Sequence, residues 1–316
     1  MSGKILITGG AGFIGSRISA RFIKEGYQVH ILDNLVTGNE KNIAPEAVFH
    51  KMDLGDPALD ALFAAEKFDF VCHHAAQIDV RKSVEVPAYD ATVNVLGSLN
   101  LLENCRKYNI KKLVYASTGG AVYGEPKYLP CDENHPIKPL CPYGITKHTV
   151  EHYIELYHML YGLQYTILRY PNVYGHFQNP YGEAGVNAIF IGMMIRGITP
   201  TIFGSGEQTR DFVFVDDVVE GNWLALHSDK NDIFNLGWGI PISVNLIYNL
   251  LRKITGYDHD AIYAPERAGE VDKIYLCADK IKKELGWVPK VDFEQGLTIT
   301  TEWFKKYPDW YKKPQR

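Results

Sequence analysis

The chain has no apolar run long enough to cross a bilayer: the longest, near AIFIGMMI, stops far short of the ~20 residues a membrane helix needs. It also lacks any cluster of lysine and arginine. Its 33 basic and 37 acidic residues leave a net charge of -4, which argues against nucleic acid or an anionic membrane as the main partner. An anionic small ligand stays open, because it needs only a few placed positive groups. No CxxC pair occurs. The five cysteines, Cys72, Cys105, Cys131, Cys141 and Cys277, are an odd, scattered set, expected of reduced thiols in a cytoplasmic protein rather than of a disulfide framework. MSGKILITGG enters a strand-like run without a signal-peptide hydrophobic region. Internal repeats and low-complexity linkers are missing as well, so the parts of the chain are expected to pack tightly.

What is present is the composition of a protein with a core: 46% hydrophobic and 22% charged over 316 residues, enough for one large domain or two sharing an interface. The first half alternates. KILITG, QVHILD, AVFHKMD, FDFVCHH, KLVYAST and QYTILRY are short β-rich runs, and patterns such as FIGSRISARFIKEG and PALDALFAAEKF between them are helical. Strands that are apolar almost throughout imply a parallel sheet covered on both faces. AYDATVNVLGSLNLLENCRKYN and YGITKHTVEHYIELYHMLYG read as two substantial helices. Beyond about residue 171, PNVYGHFQNPYGEAG reads as a loop, followed by strand-like DFVFVDD and helix-like IYNLLRKITG. The expectation is an α/β protein: a Rossmann-type doubly wound parallel sheet over residues 1–171 and a smaller mixed α/β substrate-binding domain over 172–316, with about 211–236 returning to the first.

The first turn, TGGAGFIGSRI, spaces Gly9, Gly12 and Gly15 between a strand and a helix. Glycines there let the backbone approach a pyrophosphate, whose charge the helix N-terminus favours. A glycine triplet alone also serves ordinary tight turns. Here Asp33 ends the second strand, within the ~20-residue interval of a ribose-binding acid. An acid at that place accepts from both ribose hydroxyls and repels a 2′-phosphate, so NAD is expected over NADP. Asp53 and Leu54 follow the third strand, where an adenine ring would lie, and His74, Ala75 and Ala76 follow the fourth. Each of these is also compatible with simple strand termination.

CPYGITK places Tyr143 and Lys147 four residues apart, one helical turn. A tyrosine normally ionises near pH 10. A lysine ammonium one turn away, together with a positive nicotinamide, would lower that value toward the working range of a base. Thr118, at the end of the fifth strand, can hydrogen-bond a sugar hydroxyl.

The glycine spacing, HAA after the fourth strand, AST after the fifth and Y-x-x-x-K together resemble the extended short-chain dehydrogenase/reductases, the NAD-dependent nucleotide-sugar epimerases and dehydratases. RYPNVYG, GSGEQTRDFVFVDDVV and RAGEVDK…LGW resemble that family's substrate-domain motifs, so the likeness runs along essentially the whole chain. The resemblance implies Tyr143 as base, Lys147 as its tuner and a ribose ligand, and Thr118 as third member. One extra residue before VYG leaves Ser117 as the rival to Thr118. It also implies Phe13, Ile14, Asn34, Asn94 and Tyr170 around the cofactor, Asn172, Arg210 and Arg267 on the substrate diphosphate, and Glu270 on the nucleoside ribose. Ile274, or Tyr275 after a one-residue slip, would limit room beside the sugar.

Family dehydratases and decarboxylases resemble one another in an acid just beyond the Ser/Thr. Here Gly119-Gly120-Ala121 follows, which selects epimerisation of a UDP-sugar, with UDP-glucuronate epimerisation, reduction or a non-catalytic NAD sensor as alternatives. The family further implies a homodimer through the two long helices. His148-Thr149-Val150-Glu151-His152 matches a metalloprotease H-x-x-E-H pattern. Its histidines lie toward the far side of the helix from Tyr143, so no metal is expected, and His73 and His74 read as satisfied strand-end histidines.

Overall fold

The computed structural model describes residues 3–181, 185–266 and 271–311. Strands β1 (Lys4–Thr8), β2 (Gln28–Asp33), β3 (Val48–Lys51), β4 (Phe70–His73), β5 (Lys112–Thr118) and β6 (Tyr165–Tyr170) join Asp232–Asn235 in one seven-stranded sheet. The order is Asp232–Asn235, β6, β5, β4, β1, β2, β3, and every pairing is parallel. Burial on both faces explains the unbroken apolar strands: Ile5, Leu6 and Ile7 are wholly inaccessible. Helices Phe13–Lys24 and Val215–His227 cover one face through Ile18, Phe22, Val218 and Leu226. Leu59–Glu66, Gly97–Lys107 and Pro142–Tyr161 cover the other through Phe63, Leu101, Val150 and Ile154. β1 lies between β2 and β4, so the strand order reverses there and opens a crevice at the C-terminal ends of the strands.

Three further helices, Val186–Ile195, Val244–Thr255 and Phe293–Lys306, pack around Ile191, Met194, Ile247, Leu251 and Leu297. Small sheets edge this core: Asn172–Tyr174 beside Phe212–Phe214, and Thr209–Arg210 between Ile242–Ser243 and Lys273–Ile274.

Three local readings differ from the structure. DFVFVDD is strand only over Phe212–Phe214, and its remainder opens a helix whose first turn holds Asp216 and Asp217, where acids suit the helix dipole. PNVYG is not all loop, because Asn172–Tyr174 finds a parallel partner in Phe212–Phe214. The first long helix is interrupted: Pro87–Ala91 passes into a π-turn, Thr92–Leu96, before Gly97–Lys107. The second long helix is uninterrupted from Pro142 to Tyr161. Pro142 takes its first position, Cys141 Sγ accepts from Gly144 N, and Gly162 at φ 72° ends it. Among the described residues, no helix is long and apolar enough to cross a membrane.

Candidate active site

The turn after β1 fits a group that needs bare backbone. Gly9 has φ +70°, and a Cβ there would lie 2.7 Å from Ala75 N. A Cβ on Gly15 would lie 2.3 Å from Gly9 O. Helix Phe13–Lys24 starts after Gly12 with neither a side-chain cap nor an acid in its first turn. Its N-terminal dipole and the N–H groups of that first turn therefore present a cradle for a pyrophosphate.

Asp33, at the end of β2, accepts from Ala11 N at 3.0 Å and Leu35 N at 2.8 Å. Burial pushes its carboxyl above the ordinary value, against those two bonds. Each oxygen keeps a lone pair for a ribose hydroxyl. Asn34 donates to Asp53, and Asp53 accepts from Gly55 N, so both shape the adjoining turns. Leu54 is buried in the core against Gly97, leaving little of its side chain for an adenine ring.

On the other side of the crevice, Thr8 Oγ1 accepts from the backbone of His74 and Ala75 and so fixes HAA. His74 Nε2 lies 3.1 Å from the Tyr170 hydroxyl, and burial drives its imidazole down to about 3, so it is neutral. His73 is held between Thr8 and Ser98. Asn94, expected beside the cofactor, lies in the π-turn behind the loop after β4. The π-turn buries its side chain, which accepts from Gln77 N at 2.7 Å and donates to Gln77 O at 3.0 Å. It pins the loop after β4.

Tyr143 and Lys147 sit at the start of helix Pro142–Tyr161. Lys147 is 4% exposed, with Nζ 4.2 Å from the Tyr115 ring centre. Burial lowers it to about 7, while Glu151 and Asp90 pull it upward. Tyr143 is half-buried; burial, with Cys141 and Asp90 adding to it, raises its hydroxyl above the usual value, and a hydrogen bond with Thr118 opposes them. The expected lowering of the tyrosine is thus not supplied by the protein alone. Desolvation disfavours the tyrosinate as much as the ammonium, and the depressed value falls on the lysine.

Ser117 and Thr118 are adjacent on β5 and face opposite ways. Ser117 is buried and donates to Glu151 Oε1. Arg169 grips the same carboxylate at 3.0 and 2.7 Å, and His148 Nδ1 is 2.8 Å from it. Ser117 therefore belongs to a buried network that ties β5 to helix Pro142–Tyr161, while Thr118 is the one of the two that hydrogen-bonds Tyr143. Glu151, the acid of the H-x-x-E-H pattern, is committed to Arg169, and among the described residues no group of three or more His, Cys, Asp or Glu is assembled to hold a metal.

Beyond Thr118 a narrow crevice is lined by Gly120, Pro171, Asn172, Asp211, Ile274 and Leu276. Ile274 and Leu276 face it, while Tyr275 between them turns away, as alternation in an extended segment requires. Arg210 Nη1 donates to Thr209 O and Asp272 O. Arg267 and Glu270 lie outside the described residues. Sequence reasoning overlooked Asp90, Arg169 and Asp211. Arg169 carried a signal, a charge inside an apolar strand, and Glu151 lies one turn beyond Lys147.

The model of the NAD dependent epimerase/dehydratase family matches residues 5–237. The chain is similar to a UDP-glucose 4-epimerase of Thermotoga maritima solved with UDP-glucose, at TM-score 0.95 and 47% identity, covering 96% of this chain and 99% of that one. A Thermus thermophilus UDP-glucose 4-epimerase solved with NAD gives TM-score 0.91 and 40% identity over 96% and 99%. A UDP-glucose 4-epimerase of Mycolicibacterium smegmatis is 38% identical over 96% of this chain and 98% of its own. Over residues 5–237 by the family model, and over 96% of its length by a 38% identical relative, this chain belongs to the NAD dependent epimerase/dehydratase family.

Proposed function

We propose that the protein is a UDP-hexose 4-epimerase with tightly held NAD, interconverting UDP-glucose and UDP-galactose through a transient 4-keto sugar. The observation that carries this is the hydrogen bond between Tyr143 and Thr118, one helical turn from the buried Lys147, beside a turn where Gly119-Gly120-Ala121 supplies no carboxylate. When bound, NAD supplies the hydride chemistry at the sugar C4. Tyr143 takes the proton of the C4 hydroxyl and returns it after the sugar has turned over. Thr118 hydrogen-bonds Tyr143 and steadies that hydroxyl. Lys147 holds the cofactor ribose and, when protonated, favours the tyrosinate. Asn172, with Arg210, Arg267 and Glu270, takes the nucleotide.

The division of labour follows the chain: residues 1–171 hold the cofactor and 172–316 the sugar nucleotide, with about 211–236 returning to the sheet. The protein works in the cytoplasm, in galactose metabolism, as a homodimer. Exposed Leu96, Met159 and Leu160 on the two long helical segments support pairing there.

Incubating the purified protein with UDP-galactose, without added cofactor, should yield UDP-glucose. Failure to form it, with NAD confirmed in the preparation, would exclude this activity.

A further inference from the structure

We infer that Asp211 is the positioning residue of the sugar-nucleotide crevice, clasping the segment of Ile274 and Leu276 to the edge of the cofactor-binding sheet. The inference rests on the epimerase reading above.

Asp211 is 2% exposed, next to Arg210. Its carboxylate is met by backbone N–H groups from two separate segments. Oδ1 accepts from Trp238 N at 3.0 Å, and Oδ2 accepts from Gly239 N at 3.2 Å and Leu276 N at 3.1 Å. Its own backbone continues the pattern: Asp211 N donates to Ile274 O and Asp211 O accepts from Asn172 N, both at 3.1 Å. Trp238 and Gly239 follow the edge strand Asp232–Asn235, and Leu236 N donates to Arg169 O on β6. The side chain thus links the segment after the edge strand to the Leu276 wall of the crevice, and the Asp211 backbone joins Asn172 and Ile274 beside it.

A buried carboxylate without hydrogen bonds would be expensive, whereas charge-assisted bonds to fixed N–H groups are strong and directional. Burial raises this carboxyl to about 6 against those bonds, so at neutral pH it remains an acceptor. Gly237 leaves room for the clasp, since a Cβ there would lie 2.6 Å from Asp211 Oδ2 and 2.9 Å from Leu276 Cβ. Leu276 is in turn pressed on the turn after Thr118: a Cβ on Gly119 would come 2.4 Å from Leu276 Cδ1. The clasp therefore sets how far the sugar-facing wall stands from the catalytic strand.

The test uses NAD-loaded protein and three variants: Asp211→Ala, Asp211→Asn and Gly237→Ala. UDP-glucose binding is measured by calorimetry, KM and kcat with UDP-galactose, and NAD content after gel filtration. Asp211→Ala should raise the UDP-glucose Kd and the KM by roughly 10–10²-fold, the scale of losing hydrogen bonds to a charged group, with a much smaller fall in kcat. Asp211→Asn keeps one acceptor oxygen and should recover part of the loss. Gly237→Ala, which crowds the carboxylate without removing it, should show the same split more weakly and carries the test if Asp211→Ala does not fold. NAD content should be unchanged in each. Wild-type binding in folded Asp211→Asn and Gly237→Ala, or parallel loss of NAD and UDP-glucose, would overturn the inference. If the wild type binds UDP-glucose but does not epimerise, the functional reading fails, and the Kd series still decides the role of Asp211.

Discussion

Glu151 and Arg169 face each other across two hydrogen bonds, at 3.0 and 2.7 Å, with side chains only 1% and 3% exposed. The pair joins helix Pro142–Tyr161 to β6 beside the strand that carries Thr118. Burial alone would raise the Glu151 carboxyl, but bonds from Arg169, His148 and Ser117 outweigh it and hold it at about 2 rather than 4.5. Between those values the unfolded chain binds more protons than the folded one. The pair's stabilisation is therefore full above about pH 4.5 and is lost as pH falls toward 2. Glu151→Gln should cost about 3–5 kcal/mol at pH 7, because it strands a buried guanidinium, and much less at pH 3. Urea unfolding at both pH values checks this.

Tyr143→Phe should lower turnover by roughly 10²–10⁴-fold, the range for one positioned acid–base group, with NAD and UDP-sugar binding largely kept. Thr118→Ala should reduce kcat as well. Ser117→Ala should leave the chemistry nearly intact and show its effect as lost stability. Near-normal turnover in Tyr143→Phe would mean that another group is the base.

Lys147 has an ordinary value of 10.5 and is brought to about 7 by burial. In protein stripped of cofactor, the unfolded chain then binds more protons across that window, so stability should rise with pH from 7 toward 10.5. Lys147→Met should flatten this rise. Urea midpoints at three pH values would reveal it.

Asp33→Ser removes the acceptor that takes both Ala11 N and Leu35 N. The variant should lose its preference for NAD, and calorimetry with both dinucleotides measures the change. Equal or tighter NADP binding by the unaltered protein would contradict the role assigned to Asp33.

Ile274→Tyr should selectively suppress turnover of the N-acetylhexosamine forms, by about 10–200-fold as for other pocket misfits of a few methylenes, while UDP-galactose is still converted. An equal loss on both substrate types would show that this side chain does not govern sugar range.

The cofactor side of the site was legible because its signals are local. Gly9, Gly12, Gly15 and Asp33 lie within one strand–helix–strand unit, and Tyr143 and Lys147 within one turn. What could not be read depends on partners distant along the chain. Ser117 and Thr118 are indistinguishable until Glu151 claims one of them. The bonds of Asn94 to Gln77 depend on a π-turn that the sequence does not announce. Asp211 reads as an ordinary strand residue until Trp238 and Leu276 converge on its carboxylate. The six apolar runs announced the parallel sheet, but Asp232–Asn235, four residues beside a helix, has no alternation to mark it.

That late strand has a consequence for biosynthesis. β6 is buried along its whole length, yet the neighbour that closes its outer edge is made only some sixty residues later. A nascent chain, or a fragment ending near residue 171, would expose an apolar strand with unpaired backbone along one edge, the kind of edge that recruits other chains. Autonomous folding of the first half is therefore disfavoured, and aggregation is the hazard until Asp232–Asn235 leaves the ribosome.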